Sequence, residues 1–173
     1  MNDRVLYSGR FLELLDRGGW ECVGRPGVTG IVAVVAVTED DEVLLVEQPR
    51  PPIGKPVIEI PAGLAGDEAG FKSQSLAETA IRELEEETGY RAASVEELFV
   101  GPPSAGLSTE MVTFFRATGA RKVSDDVGVG GESITRHVVP RRRVTRFLKD
   151  AIAAGRVVDP KVFTGLWWLD RGR

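Results

Sequence analysis

Hydrophobic positions along the chain follow two periods. Residues 31–37 read IVAVVAV, continuously apolar and mostly β-branched, which predicts a strand buried on both faces. Shorter β-type runs at 4–7, 11–15 and 20–23 precede it, with Gly18-Gly19 as a hairpin turn between the last two. The acidic turn Glu39, Asp40, Asp41 leads into a strand at 43–47. Pro51 and Pro52 then interrupt order, and a brief strand at 57–60 stops at Pro61. From 75 to 88 the period becomes helical. Ala77, Ala80, Ile81 and Leu84 recur at spacings of three and four, and Gly89 stands where a C-terminal cap belongs. Strands are predicted again at 95–100, 111–118 and 134–139. Pro140 opens a second helix with Val144, Phe147, Leu148, Ala151 and Ile152 on its apolar face, and Gly155 ends it. A last helix runs over 159–169. Segments 63–74 and 119–133 read as irregular, and that length in a compact domain marks function or disorder. The order of strands, one helix, strands and two helices predicts an α+β domain with helices packed outside a sheet.

At 173 residues, one domain accounts for the chain, and 42% apolar against 28% charged residues excludes a disordered class. A net charge of −4 provides no basic field to attract nucleic acid. Cys22, the single cysteine, cannot form an internal disulfide, which suits a reducing compartment and a cytoplasmic location. The amino end, MNDRVLYSGR, has no apolar signal core. The longest apolar run falls far below the ~20 residues a membrane helix needs, so no membrane role is expected.

The stretch Arg82-Glu83-Leu84-Glu85-Glu86-Glu87-Thr88-Gly89-Tyr90 carries most of the chemistry. On a helix, Glu83, Glu86 and Glu87 share a face while Leu84 points inward. Like charges at that spacing cost only ~0.2–0.5 kcal/mol per exposed pair, so a solvated acidic face is one reading. The other is a hard-oxygen site suited to Mg²⁺ or Mn²⁺. Pro61-Ala62-Gly63-Leu64 directly follows a strand and brings backbone carbonyls toward such a metal.

At these residues the chain resembles the Nudix hydrolases. Their box reads Gly, five residues, Glu, seven residues, Arg-Glu-aliphatic-x-Glu-Glu-x-Gly-aliphatic. Its second half stands here at 82–90, with Tyr90 in place of the last aliphatic residue. The first half departs from the pattern. Gln74 replaces the first Glu, and ten residues rather than five separate it from Gly63. Val46-Glu47-Gln48-Pro49-Arg50-Pro51-Pro52 and Glu59-Ile60-Pro61-Ala62-Gly63-Leu64 resemble the ADP-ribose and nucleoside-diphosphate-sugar pyrophosphatase branch, over about residues 5–169. The resemblance implies an α/β/α sandwich with a mixed sheet at 29–173, preceded by a small antiparallel dimerisation sheet at 1–28. It further implies a homodimer that hydrolyses a nucleoside diphosphate sugar to a nucleoside monophosphate and a sugar phosphate.

By the same resemblance Glu83, Glu86, Glu87 and the Ala62 carbonyl are ligands of Mg²⁺ or Mn²⁺, and Glu86 and Arg82 join Glu132 in the catalytic set. Glu132 lies in a loop with Gly128, Gly130 and Gly131. Composition alone favours a flexible surface loop with an incidental Glu, but the branch usually draws its general base from this loop. Arg50, at a strand end before two prolines, is either an exposed arginine or a phosphate clamp. Trp20-Glu21 resembles the segment whose tryptophan stacks on adenine in eukaryotic members; packing is the other reading of Trp20. The branch often has Ser-Pro-Gly where this chain has Ser104-Ala105-Gly106, so Ala105 and Gly106 fall on the substrate side, with Glu110 as a secondary metal or water contact. His137, Trp167 and Trp168 read as packing or interface residues, and Arg141, Arg142 and Arg143 as a solvated helix start. The departures at Gln74 and Ala105 leave two alternatives: another substrate such as GDP-mannose, UDP-glucose or a dinucleotide, or a nucleotide-sugar sensor with little turnover.

Overall fold

Three short strands open the chain, β1 (Arg4–Ser8), β2 (Glu13–Arg17) and β3 (Trp20–Gly24), paired antiparallel in the order β1-β2-β3. The fold was read from a computed structural model that describes residues 3–66, 73–128, 131 and 133–171. Gly18 and Gly19, with φ of 66° and 89°, make the turn between β2 and β3, a conformation that L side chains resist. The sheet is tied to the body through β3, where Val23 donates its N–H to Leu107 O and Thr109 donates to Val23 O.

The continuously apolar run becomes β4 (Gly30–Thr38), the spine of a second, mixed sheet. Its alternation assigns each residue to one of two cores. Val32, Val34 and Ala36 face α1 (Leu76–Thr88), against Ala80 and Leu84. Ala33, Val35 and Val37 face the other layer, α2 (Arg141–Ala153) and α3 (Pro160–Arg171), with Val144, Leu148, Val162 and Leu169. Each such buried valine or leucine contributes about 1.5–3 kcal/mol of transfer free energy, which makes the three-layer arrangement the natural home for a strand with no polar face. Gly165 lets α3 approach closely, since a Cβ there would lie 3.1 Å from Val35 Cβ.

Around β4 the sheet runs β12 (Val157–Val158), β6 (Lys55–Glu59), β5 (Glu42–Arg50), β4, β10 (Val112–Lys122) and β8 (Tyr90–Arg91). Off that path, β7 (Ala62–Ala65) pairs with β4, β9 (Glu96–Gly101) with β10, and β11 (Thr135–Pro140) with β5. The β4–β10 and β6–β12 pairs are parallel and the others antiparallel. The α+β class and the sandwich with its small N-terminal sheet are therefore as expected.

Several local expectations need correction. Segment 63–74 does not begin as a loop, because Ala62–Ala65 forms β7 against β4. Four residues with two alanines and a glycine carry no strand propensity of their own; tertiary pairing overrides it. Strand β10 runs to Lys122 through a register shift between Ala117 and Ala120, which absorbs part of the predicted 119–133 loop. The second strand spans Glu13–Arg17 rather than 11–15, leaving Phe11 exposed. Ile152 is half exposed, off the buried face of α2. Trp168 stacks on Phe99 at 5.4 Å between centroids, whereas Trp167 is half exposed.

Candidate active site

Helix α1 is closed at both ends by its own sequence. Ser75 and Glu78 form a reciprocal capping box: Glu78 N–H donates to Ser75 Oγ at 3.2 Å and Ser75 N–H to Glu78 Oε2 at 2.8 Å. Those bonds to the Ser75 backbone and hydroxyl hold the Glu78 carboxyl below its ordinary pKa. Gly89 ends the helix at φ 68°, and its N–H donates to Glu85 O. With Ala80 and Leu84 fixed in the core, the last two turns also carry Glu83, Glu86 and Glu87, of which Glu83 lies against Gly63 and Glu87 against Ala62 of β7.

The carboxylates are organised by three neighbours. Arg82 Nη2 donates to Glu83 Oε1 at 2.7 Å and Nη1 to Glu86 Oε2 at 2.6 Å, so one guanidinium spans both acids. Its Nε donates to Gln74 Oε1 at 3.3 Å. Gln74 thus offers Arg82 an oxygen acceptor from the position where the box has Glu. Glu87 is buried, and its Oε2 accepts the Ala62 N–H at 3.0 Å. Gln48 Nε2 lies 3.4 Å from Glu87 Oε1. Sequence reasoning missed Gln48 as a site residue; its place two positions before Arg50 on an inward-alternating strand was the available signal. At Gly63 a Cβ would overlap the Glu83 carboxylate, so only glycine leaves that carboxylate its place.

Among the described residues no three acidic, histidine or cysteine side chains converge as a ready metal cage; Arg82 and the Ala62 N–H hydrogen-bond the carboxylates instead. The donor chemistry nonetheless fits a hard divalent cation. All the candidate donors are oxygens, from Glu83, Glu86, Glu87 and the Ala62 carbonyl, and the glycine-lined notch at Gly63 admits a carboxylate beside the strand.

Other predicted residues fall around this centre. Arg50 Nε donates to Glu59 Oε2 at 2.7 Å; Glu59 is buried, while the Arg50 side chain is 40% exposed. Glu132 lies outside the described residues. The loop before it is anchored to α1 by Gly128 N–H, which donates to Glu86 O at 2.7 Å. A second group forms at β3. Trp20 is 66% exposed, with its indole N–H donating to Gly106 O at 3.1 Å. Trp20, Ala105 and Gly106 border a pocket of about 300 Å³ that also includes Ser108, whose buried Oγ has no hydrogen-bond partner among the described residues. Glu21 is exposed beside Trp20. Glu110 instead accepts from Arg25 Nε at 3.0 Å.

His137 is packed, as expected. Its Nε2 lies 3.0 Å from Glu47 Oε2 and its ring 5.3 Å from Phe147. Burial pushes the Glu47 carboxyl up, but hydrogen bonds from Arg156 and His137 outweigh it and hold the group below its ordinary pKa. Arg141 is not merely solvated: it donates to Leu169 O and pairs with Asp170, fastening α2 to α3.

Comparison with known proteins matches the NUDIX domain model to residues 29–157. The chain is 38% identical over 133 residues to the methanol dehydrogenase activator of Bacillus methanolicus, covering 72% of this chain and 68% of that protein. It is 39% identical over 99 residues to the ADP-ribose pyrophosphatase of Bacillus subtilis, covering 56% of this chain and about half (48%) of that one. It is 37% identical over 127 residues to the GDP-mannose pyrophosphatase of Yersinia enterocolitica, covering 69% and 61% of the two chains. A crystal structure of an ADP compounds hydrolase superposes with a TM-score of 0.65 at 18% identity, over 86% of this chain and 81% of that one, a likeness of fold.

Proposed function

Because this chain belongs to the Nudix family, we propose that it hydrolyses the pyrophosphate bond of a nucleoside diphosphate sugar, ADP-ribose first, to a nucleoside monophosphate and a sugar phosphate. The observation that carries the reading is the clasp of Glu83 and Glu86 by Arg82 beside Gly63, with Glu87 set against Ala62. Glu83, Glu86, Glu87 and the Ala62 carbonyl would hold Mg²⁺ or Mn²⁺, which when bound supplies charge neutralisation at the phosphate oxygens.

The chain's own groups do the rest. Arg82 keeps two carboxylates in register, so little reorganisation is left for the reaction. Glu132 takes the proton of the attacking water as its oxygen bonds to phosphorus, and the bridging P–O bond breaks with the electron pair leaving on the second phosphate. Arg50, steered by Glu59, orients a phosphate oxygen. Trp20, held by its bond to Gly106 O, offers a flat face to the base, with Glu21, Ala105 and Gly106 around it.

The proposed assembly is a homodimer joined through the 1–28 segment, which the exposed Val5, Tyr7, Phe11 and Leu12 favour. A cytoplasmic setting accords with the free Cys22. No described helix is long and apolar enough to cross a membrane, and no nucleic-acid partner is proposed.

A panel of ADP-ribose, ADP-glucose, GDP-mannose, UDP-glucose, NADH and FAD, coupled to a phosphatase, tests the reading with Mg²⁺ and then with EDTA. The expected result is metal-dependent phosphate release from ADP-ribose that Glu83→Gln and Glu87→Gln abolish. Full turnover in both variants would refute the assigned roles. Stronger release from GDP-mannose favours the second reading, which the Yersinia enterocolitica relative and Ala105 support. Calorimetric binding without turnover makes the protein a nucleotide-sugar-binding module.

A further inference from the structure

The loop that follows β9 turns back on itself before it reaches β10. Leu107 and Ser108 both donate their N–H groups to Ser104 O at 3.0 Å, and the turn so closed lies along β3. Val23 donates its N–H to Leu107 O at 2.8 Å, and Thr109 donates to Val23 O at 2.9 Å. Ser108 therefore stands opposite Val23 in a parallel bridge, with a bond on each side of it. Three residues earlier on β3, Trp20 donates its indole N–H to Gly106 O in the same turn. The ring and the turn form one framework, tied at two places.

Inside that framework one group is left over. Ser108 Oγ is buried and, among the described residues, is the sole buried side-chain nitrogen or oxygen without a hydrogen-bond partner. Native chains seldom leave such a group, because a buried hydroxyl gives up its bonds to water and receives nothing in exchange. Alanine would fill nearly the same space without that cost. Ser108 borders the pocket of about 300 Å³ that Trp20, Ala105 and Gly106 also line. Neither Ala105 nor Gly106 has a polar side chain, and the Gly106 carbonyl is engaged by Trp20. A hydroxyl both donates and accepts, and it swings among staggered positions about one bond, so a ligand seated in the pocket can meet it with either kind of atom.

We propose that Ser108 reads the edge of the base, and so helps select a nucleoside diphosphate sugar over a diphosphate that carries no base. This rests on the reading of Trp20 as the surface on which the base stacks. An aromatic face holds any base, because every base has a π-face, whereas hydrogen bonds at the edge depend on what the ring carries. Adenine sets ring-nitrogen acceptors beside an exocyclic amine donor, and a hydroxyl answers both. The bond is the same in the bound substrate and in the reacting complex, so it acts on binding and leaves the chemical step untouched.

The test compares the full chain with its Ser108→Ala variant. ADP and ribose 5-diphosphate are titrated calorimetrically in EDTA, so that no turnover intervenes. The wild type is expected to bind ADP about tenfold or more tighter than the base-free probe. Ser108→Ala should weaken ADP about 3–10-fold, the worth of one hydrogen bond, and change ribose 5-diphosphate by less than about twofold. With ADP-ribose and Mg²⁺, KM should rise by the same factor at unaltered kcat. The Tm of the variant should equal or exceed that of the wild type, because the substitution removes a polar group that has no partner. A lowered Tm identifies a structural hydroxyl and overturns the proposal. Unchanged ADP binding, or an equal loss with both probes, overturns it as well. A wild-type protein silent toward the whole nucleotide panel defeats the hydrolase reading separately, and the two titrations still decide the role of Ser108.

Discussion

Gly63→Ala provides the sharpest test of how α1 and β7 form one site. The added methyl would occupy the space of the Glu83 carboxylate, closer than any real Cβ contact. Backbone relief is restricted, because Gly63 is paired with Val32 in the β4–β7 ladder. Glu83 must therefore rotate away and give up its 2.7 Å bond to Arg82. Both side chains are 13% exposed, so the contact is partly desolvated. Losing a hydrogen bond between charged groups of this kind costs about 1.5–3 kcal/mol. For a chain of this size that corresponds to a fall in Tm of roughly 3–12 °C. The displaced carboxylate also leaves the candidate metal site, and kcat/KM for ADP-ribose should fall by about 10²-fold or more. Differential scanning calorimetry and the phosphatase-coupled assay read the two effects. A double-mutant cycle isolates the cause: in a Glu83→Ala background the methyl has room, so Gly63→Ala should add little further cost. Gly101→Ala, where a Cβ meets only Phe99 at 3.6 Å, serves as the neutral control. Gly63→Ala at wild-type stability and activity, or an equal cost with and without Glu83, would refute the reasoning.

Three other outcomes follow from the same structure. Trp20→Ala removes an exposed ring and one hydrogen bond, so urea stability should change by less than about 1 kcal/mol while KM rises about 5–100-fold, the worth of one stacked base; unchanged KM would remove Trp20 from the substrate site. Leu84→Ala opens a hole in the core beneath α1 and should cost about 2–5 kcal/mol in denaturant midpoint with the m-value unchanged. Glu47 is held below the ordinary 4.5 in the folded chain, so its contribution is fully present above pH 4.5 and disappears as pH falls through the depressed folded value. The stability deficit of Glu47→Gln, measured by urea unfolding, should be largest near neutrality and shrink below pH 4.5; a deficit independent of pH would contradict this.

The parts legible in the sequence are those where local pattern and burial agree. The seven apolar residues of 31–37 had to be a two-sided core strand, and the 75–88 period with Ser75 and Gly89 at its ends had to be a capped helix. The order Arg82 to Glu87 places a guanidinium and, on one face, the carboxylates of Glu83, Glu86 and Glu87 within about one and a half turns, which suffices to suggest the chemistry. What remained hidden depended on partners distant in the chain. Nothing in Ala62-Gly63-Leu64-Ala65 announces a strand, because its hydrogen bonds come from β4, distant in the chain. Gln48 reads as one polar residue on a strand until β5 brings it beside Glu87. Arg136 reads as an ordinary strand arginine until β11 carries it to the end of α1.

By itself, then, the sequence determined the long periodic elements, the two faces of β4 and the inventory of acids, since helix and strand periods are properties of consecutive residues. Only the tertiary structure decided which of those groups meet. It gave Glu83 to the notch at Gly63, Glu87 to the Ala62 N–H, and the carbonyl end of α1 to Arg136. The physical reason is that charge-assisted hydrogen bonds act over about 3 Å, a distance that sheet register and helix packing control and that spacing along the chain does not.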